Sequence, residues 1–166
     1  RIGKTLVGIN TQHPNRLVEE AIRAETIREL AGYANLRREV RYGKDSRIDL
    51  LLEDPKRPPC YVEVKNVTMK RDLSPKAPVE FPDAVTARGT KHLVELSRVA
   101  GKGQRAVMVF LVQREDAKAF APAADIDPTY AKALGQATAA GVEVLCYGCR
   151  LSPAEIRVAK PVPIRL

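Results

Sequence analysis

The chain has 166 residues, 45% hydrophobic and 29% charged, with 28 Lys and Arg against 20 Asp and Glu for a net charge of +8. That composition excludes intrinsic disorder and fits one domain over residues 1–166 with a real core, and no apolar run is long enough to span a membrane. The positive surplus points to a polyanion such as DNA, while three cysteines, an odd number, and no secretory signal point to a reducing cytoplasm rather than a disulfide framework.

Residues 2–10 read as a short strand leading to a turn at 11–15 that contains Pro14. Asn15 is placed to cap a helix that begins at Arg16 and runs to a stop at Gly32. Leu17, Ala21, Ile22 and Leu30 are its core face, and Glu20 lies at the edge of that stripe, where it can lean toward a sheet. The other acids, Glu19 among them, have Arg16, Arg23 and Arg28 as surface partners. Residues 35–43 form a strand, KDSR a tight turn, and RIDLLLEDPKRPPCYVEVK a hairpin.

That hairpin organises the chain. Side chains alternate along a strand, so Glu63 and Lys65 share a face. A turn centred near Lys56 sets Asp49 directly across from Glu63, and a slip of one residue would undo this. Facing carboxylates weaken a sheet by up to ~1 kcal/mol. A hard cation such as Mg²⁺ or Mn²⁺, which takes one or two carboxylates and keeps several waters or phosphate oxygens, removes the repulsion. Lys65 would aim a positive charge at the same spot, and the set suggests metal-assisted phosphodiester chemistry. A Glu-x-Lys on a strand also reads as a solvated, self-neutralising edge pair.

After Lys65, prolines at 75, 78 and 82 make residues 66–83 a long loop, expected to be a mobile lip whose Lys70, Arg71 and Lys76 close over a phosphate. Asp83 is placed to cap a helix over 84–100 with Val85, Gly89, His92 or Leu93, and Leu96 toward the core. Its other side carries Arg88, Lys91, Glu95, Arg98 and Lys102, either a solvated face or a ridge that tracks DNA phosphates. Residues 105–113 are a strand buried on both faces, and Asp127-Pro128 opens a helix that ends before Gly141. In the next strand Cys146 and Cys149 fall on opposite faces with no further Cys or His pair nearby, which disfavours a zinc site. The proline-containing tail fits an edge strand. Hairpins followed by β-α-β-α-β crossovers give an α/β fold, a mixed central sheet flanked by helices.

The stretches NRLVEEAI, EVRYGKDSRIDLLL, CYVEVKNVT, FPDAVTARGTKHLVEL and GQRAVMVFLVQ together resemble the C-terminal domain of the sugar fermentation stimulation protein A family, with its restriction-endonuclease-like PD-(D/E)xK core. The resemblance implies DNA binding, a role in regulating sugar (maltose) utilisation genes, and an N-terminal OB-like barrel domain absent from this chain. It makes Asp49 and Glu63 metal ligands, Lys65 the catalytic lysine, and Glu20 the extra acid that many such nucleases place on the preceding helix, and the Val64 carbonyl is expected to complete the protein's share of metal ligands. The motif's proline is Ile48 here, a position without a part in the chemistry. Two functions are open: a DNA-binding regulator on a nuclease fold, or an active Mg²⁺-dependent endonuclease. With no Trp and 5% aromatic residues, a single-strand stacking platform is not expected, and the sequence is silent on oligomeric state.

Overall fold

Eight strands and three helices are present in the computed structural model, which describes residues 5–8 and 14–166. In chain order they are α1 (Pro14–Arg23), β1 (Asn35–Tyr42), β2 (Ser46–Asp54), β3 (Arg57–Val67), β4 (Val79–Phe81), α2 (Ala87–Gly101), β5 (Arg105–Val112), β6 (Phe120–Pro122), α3 (Pro128–Ala139), β7 (Glu143–Leu151) and β8 (Ile156–Pro161). Six strands build one sheet in the order β1-β2-β3-β5-β7-β8. The meander β1-β2-β3 is antiparallel, β3, β5 and β7 are parallel, and β8 closes the far edge antiparallel to β7.

The unbroken apolar run of β5 sits mid-sheet and is buried on both faces, because helices cover both. Val107, Val109 and Leu111 meet Leu17, Val18, Ala21 and Ile22 of α1 on one side. Met108, Phe110 and Val112 meet Leu93 and Leu96 of α2 and Leu134 of α3 on the other. The expected mixed α/β architecture is what forms. Cys146 and Cys149 of β7 fall into these two different cores, as their odd spacing requires, and burial pushes both thiols up to about 12. No helix among the described residues is long and apolar enough to cross a membrane.

Three expectations change. The first helix begins at Pro14 and stops at Arg23, well before Gly32. Thr26 N–H donates to the Ala21 carbonyl and Glu25 N–H to that of Ile22, with Glu25 left-handed at φ 57°. This is the paired-bond helix stop that usually uses glycine. A glutamate in that role leaves no trace in the sequence. The second helix starts at Thr86, whose hydroxyl accepts from Gly89 N–H at 3.0 Å, so Asp83 is not its cap and Val85 is exposed. Residues 66–83 are tied down rather than free: β4 pairs parallel with β6, and Met69 bridges to Glu80. Of the strand expected over 2–10 the described part is 5–8, where Val7 bridges to Arg114 and Gly8 N–H donates to the Gln113 carbonyl, and residues 11–13 of the expected turn lie outside the described residues.

Asp127 serves two helices. Its carboxylate accepts from Tyr130 N–H at 2.9 Å as the N-cap of α3, and from Thr86 N–H at 2.8 Å just ahead of α2.

Candidate functional site

Between β2 and β3 the register runs Leu52 opposite Cys60, Leu51 opposite Tyr61 and Leu50 opposite Val62, which brings the expected partners Asp49 and Glu63 next in line. There the ladder ends. The pairing with β1 lapses at the same point without changing register: Arg38 faces Leu50 and Val40 faces Ile48, while Glu39, left-handed at φ 52°, and Asp49 between them form no pair. The side-chain alternation of β2 breaks with it, because Ile48 and Leu51 both enter the α2–α3 core while Leu50 and Leu52 enter the α1 core. Asp49 sits in this break. Its Oδ2 accepts the Val64 N–H at 2.8 Å, a side chain standing in for a ladder carbonyl. Residues of an extended strand project N–H and C=O from the same edge, so the Val64 carbonyl faces the Asp49 side as well. Asp49 Oδ1 accepts from the Asn15 amide at 2.9 Å, the contribution of α1 to the site.

Glu63 points into the α2 side of the sheet and is almost fully buried. Its Oε1 receives the Lys65 ammonium at 2.7 Å and contacts His92 Nδ1, with Lys65 Nζ and His92 Nδ1 3.2 Å apart. A carboxylate only accepts, so Nδ1 carries the proton toward it. Glu63 Oε2 is buried and has no hydrogen-bond partner, and the buried hydroxyls of Tyr42 and Tyr130 are likewise unpaired. Burial pushes the Glu63 carboxyl up, but the His92 hydrogen bond and the Lys65 charge outweigh it and hold it below the ordinary carboxylate range. Asp49 moves the other way: burial and then the Glu63 charge raise it, against the Val64 and Asn15 hydrogen bonds. Two neighbouring acids pushed apart in this way are the pattern of a candidate functional site.

The donors fit a hard divalent ion. Among the described residues no group of three or more His, Cys, Asp or Glu side chains could enclose a metal. Two carboxylates and a carbonyl, with the rest of the shell left to water or phosphate, are what Mg²⁺ or Mn²⁺ accepts and what softer metals do not.

Several expected site residues lie elsewhere. Glu20 is exposed, ion-paired with Arg16 at 2.8 Å, and lines a cleft of about 510 Å³ with Arg150, Arg157 and Val158 near β8. The helical phase carries it away from Asp49, and Asn15, five residues earlier, takes the place expected for it. Glu19, expected at the surface, is buried and holds Arg23 and Arg38. Lys70 is buried, donating to the Asp116 carbonyl at 3.2 Å with Asp116 Oδ2 3.7 Å away, so it supports the fold and offers nothing to DNA. Arg71 is spent on Glu80 and Asp125, with two hydrogen bonds to each.

Along α2, Arg88, Lys91, Arg98 and Lys102 are exposed as expected, but Glu95 is buried and takes Arg98 at 3.1 Å. The turn between β1 and β2 docks on that glutamate. A groove of about 250 Å³ between them is lined by Arg41, Lys44, Arg98 and Lys102, so Arg41 and Lys44 join the basic ridge unforeseen. His92 was visible only as an alternative core position. Its phase between Gly89 and Leu96, on the helix face that meets Glu63, was the available signal.

The family model described as the sugar fermentation stimulation protein RE domain matches residues 12–155. The chain belongs to the sugar fermentation stimulation protein family. The sugar fermentation stimulation protein homolog of Paramagnetospirillum magneticum is 59% identical, over 97% of this chain and 66% of its own length. That of Rhodospirillum rubrum is 56% identical, over 99% and 70%. A solved structure of Pyrococcus furiosus SfsA in complex with Ca²⁺ superposes with a TM-score of 0.85 at 30% identity, over 95% of this chain and 66% of that one. This family domain therefore has a nuclease-like fold and spans about two thirds of the length of the curated relatives it matches.

Proposed function

We propose that this domain binds DNA through phosphate contacts and holds a divalent cation, Mg²⁺ or Mn²⁺, at Asp49, Glu63 and the Val64 carbonyl. The observation that carries the reading is the buried, unpartnered Oε2 of Glu63 beside the raised carboxyl of Asp49. A cation there satisfies the first and discharges the second. The relative crystallised with Ca²⁺ supports a divalent site in this fold. DNA would lie along Arg88, Lys91, Lys102, Arg41 and Lys44, cations without a carboxylate partner among the described residues. The family relation supports a cytoplasmic role in regulating sugar, including maltose, utilisation genes, with a further OB-like barrel in the full-length protein.

Hydrolysis is the second reading, favoured by Lys65 lying 2.7 Å from Glu63 on the same face. When bound, the cation would lower the pKa of a water and polarise a phosphate. Within the chain, Lys65 would hold the attacking water or the developing charge, Asn15 would fix Asp49, and the buried wall would exclude bulk water from Glu63. Calorimetric titration with Mn²⁺, together with DNA binding across salt and a cleavage assay, tests all three. Mn²⁺ binding lost in Asp49→Asn with DNA affinity retained supports the site. Cleavage by the parent and none by Lys65→Ala makes it an enzyme, and no Mn²⁺ binding by the parent refutes the metal reading.

A further inference from the structure

Resting on the cation site just described, we propose that His92 is a positioning residue that confines Glu63 to one-oxygen coordination and thereby selects Mg²⁺ or Mn²⁺ over Ca²⁺. A carboxylate oxygen has two lone-pair directions. On Glu63 Oε1 both are taken, one by the Lys65 ammonium at 2.7 Å and one by His92 Nδ1–H. Oε2 has neither taken and is sealed from solvent. A cation arriving at this carboxylate therefore finds one oxygen available and one committed. Two-oxygen chelation would first require Oε1 to give up a hydrogen bond inside the protein, with no water to replace it.

The two donors are not equivalent. Lys65 sits on a flexible stem, is partly exposed, and is repelled by an incoming cation. His92 is buried on the second turn of α2, between Gly89 and Leu96, and cannot swing out without disrupting the helix packing. The imidazole is the fixed half of the clamp. Gly89, three residues before it, belongs to the same close contact: a Cβ there would lie 3.1 Å from the Tyr130 ring, so the helix is seated tightly at this turn.

Ion preference follows from coordination chemistry. Mg²⁺ demands a near-ideal octahedron and accepts carboxylates through one oxygen, whereas Ca²⁺ takes six to eight ligands and gains from bidentate carboxylates. Partners that orient metal-binding side chains are typically worth 10–100-fold in metal affinity. Releasing Oε1 should therefore help Ca²⁺ and cost Mg²⁺ its preorganised ligand.

The test measures dissociation constants of Mg²⁺, Mn²⁺ and Ca²⁺ by calorimetry for the parent domain, His92→Leu and His92→Asn. The asparagine amide nitrogen falls near the position of Nδ1 and keeps the donor. The expected result is a preference for Mg²⁺ and Mn²⁺ over Ca²⁺ in the parent, reduced by about tenfold or more in His92→Leu and largely restored in His92→Asn. Infrared difference spectra of the parent with Mg²⁺ supply a second readout that needs no folded His92 variant. The carboxylate bands lost in Glu63→Gln should show the wide antisymmetric–symmetric separation of one-oxygen binding. A bidentate pattern with Mg²⁺, or an unchanged ion ratio in a folded His92→Leu that still binds both ions, overturns the role of His92 and leaves the cation site standing. Absence of binding by any of the three ions in the parent overturns both.

Discussion

Lys70 and Lys102 are both lysines of a basic protein, and the structure assigns them opposite work. The Lys70 ammonium donates to the Asp116 carbonyl at 3.2 Å and lies 3.7 Å from its carboxylate, with the side chain about 1% exposed. Truncation to alanine removes three buried methylenes, about 2.4 kcal/mol at ~0.8 each. It also removes one charge-assisted hydrogen bond worth roughly 1.5–3 kcal/mol. Freed side-chain entropy returns up to about 2 kcal/mol. Asp116 itself stays paired, because Arg114 holds it with two bonds of 2.9 Å. The net loss is about 2–3 kcal/mol, which for a domain of this size lowers the melting temperature by roughly 5–10 °C. Lys102 is exposed at the end of α2, so its truncation should leave melting unchanged. The salt dependence of DNA binding should separate the two in the opposite sense. Lys102→Ala should reduce the slope of log K against log salt by about 0.9, while Lys70→Ala, compared below its own melting temperature, should leave it intact. Thermal unfolding by circular dichroism and fluorescence anisotropy on labelled duplex make both measurements. A Lys70→Ala protein that melts like the parent but loses salt slope would refute the assignment.

The Asp49 carboxyl is raised in the folded state, so its contribution to the metal-free protein is complete below its ordinary 3.8 and lost as pH climbs through the folded value. Asp49→Asn removes that dependence, and its melting temperature minus that of the parent, measured with chelator, should grow as pH rises above 3.8; a flat difference would show that Asp49 is not strained. Gly43 is left-handed at φ +60°, and a Cβ there would sit 2.4 Å from Glu95 Oε2, while Gly103 at φ +79° has open space around it. Gly103→Ala should cost about 1–2 kcal/mol for backbone alone. Gly43→Ala should cost distinctly more, and equal losses in denaturant titrations would contradict the docking of the turn on Glu95.

The strand carrying Glu63-Val64-Lys65, the buried run of β5 and the Asp127-Pro128 helix start were readable because each is a local pattern: alternation, a continuous apolar stretch, a capping pair. The register that leads toward Asp49 and Glu63, Leu52 with Cys60 through Leu50 with Val62, is the one the alternation of the hairpin predicts, although the ladder stops one pair short of them. What escaped depends on contacts distant in sequence. Lys70 meets Asp116 and Arg71 meets Asp125, 46 and 54 residues away, and no periodicity marks either pair. Glu20 and Asn15 lie on different faces of α1, and which face meets Asp49 is decided by how the helix docks on the sheet rather than by the helix sequence. The pairing gap at Glu39 and the helix stop at Glu25 place glutamates in left-handed backbone, where composition alone would ask for glycine.

The double service of Asp127 bears on how the covering layer can move. Because one carboxylate holds the amide just ahead of α2 and the first turn of α3, sliding either helix past the other would strip a capping bond from one of them. The two helices are thus stapled into a single plate. Parting them is not an available route to Glu63. A cation at the proposed site would instead have to approach from the side where the β2–β3 pairing stops beyond Leu50 and Val62, next to Asp49 and Lys65. The plate itself should lift or unfold as one cooperative unit, with His92 riding on it and Glu63 losing its clamp only when both helices go together.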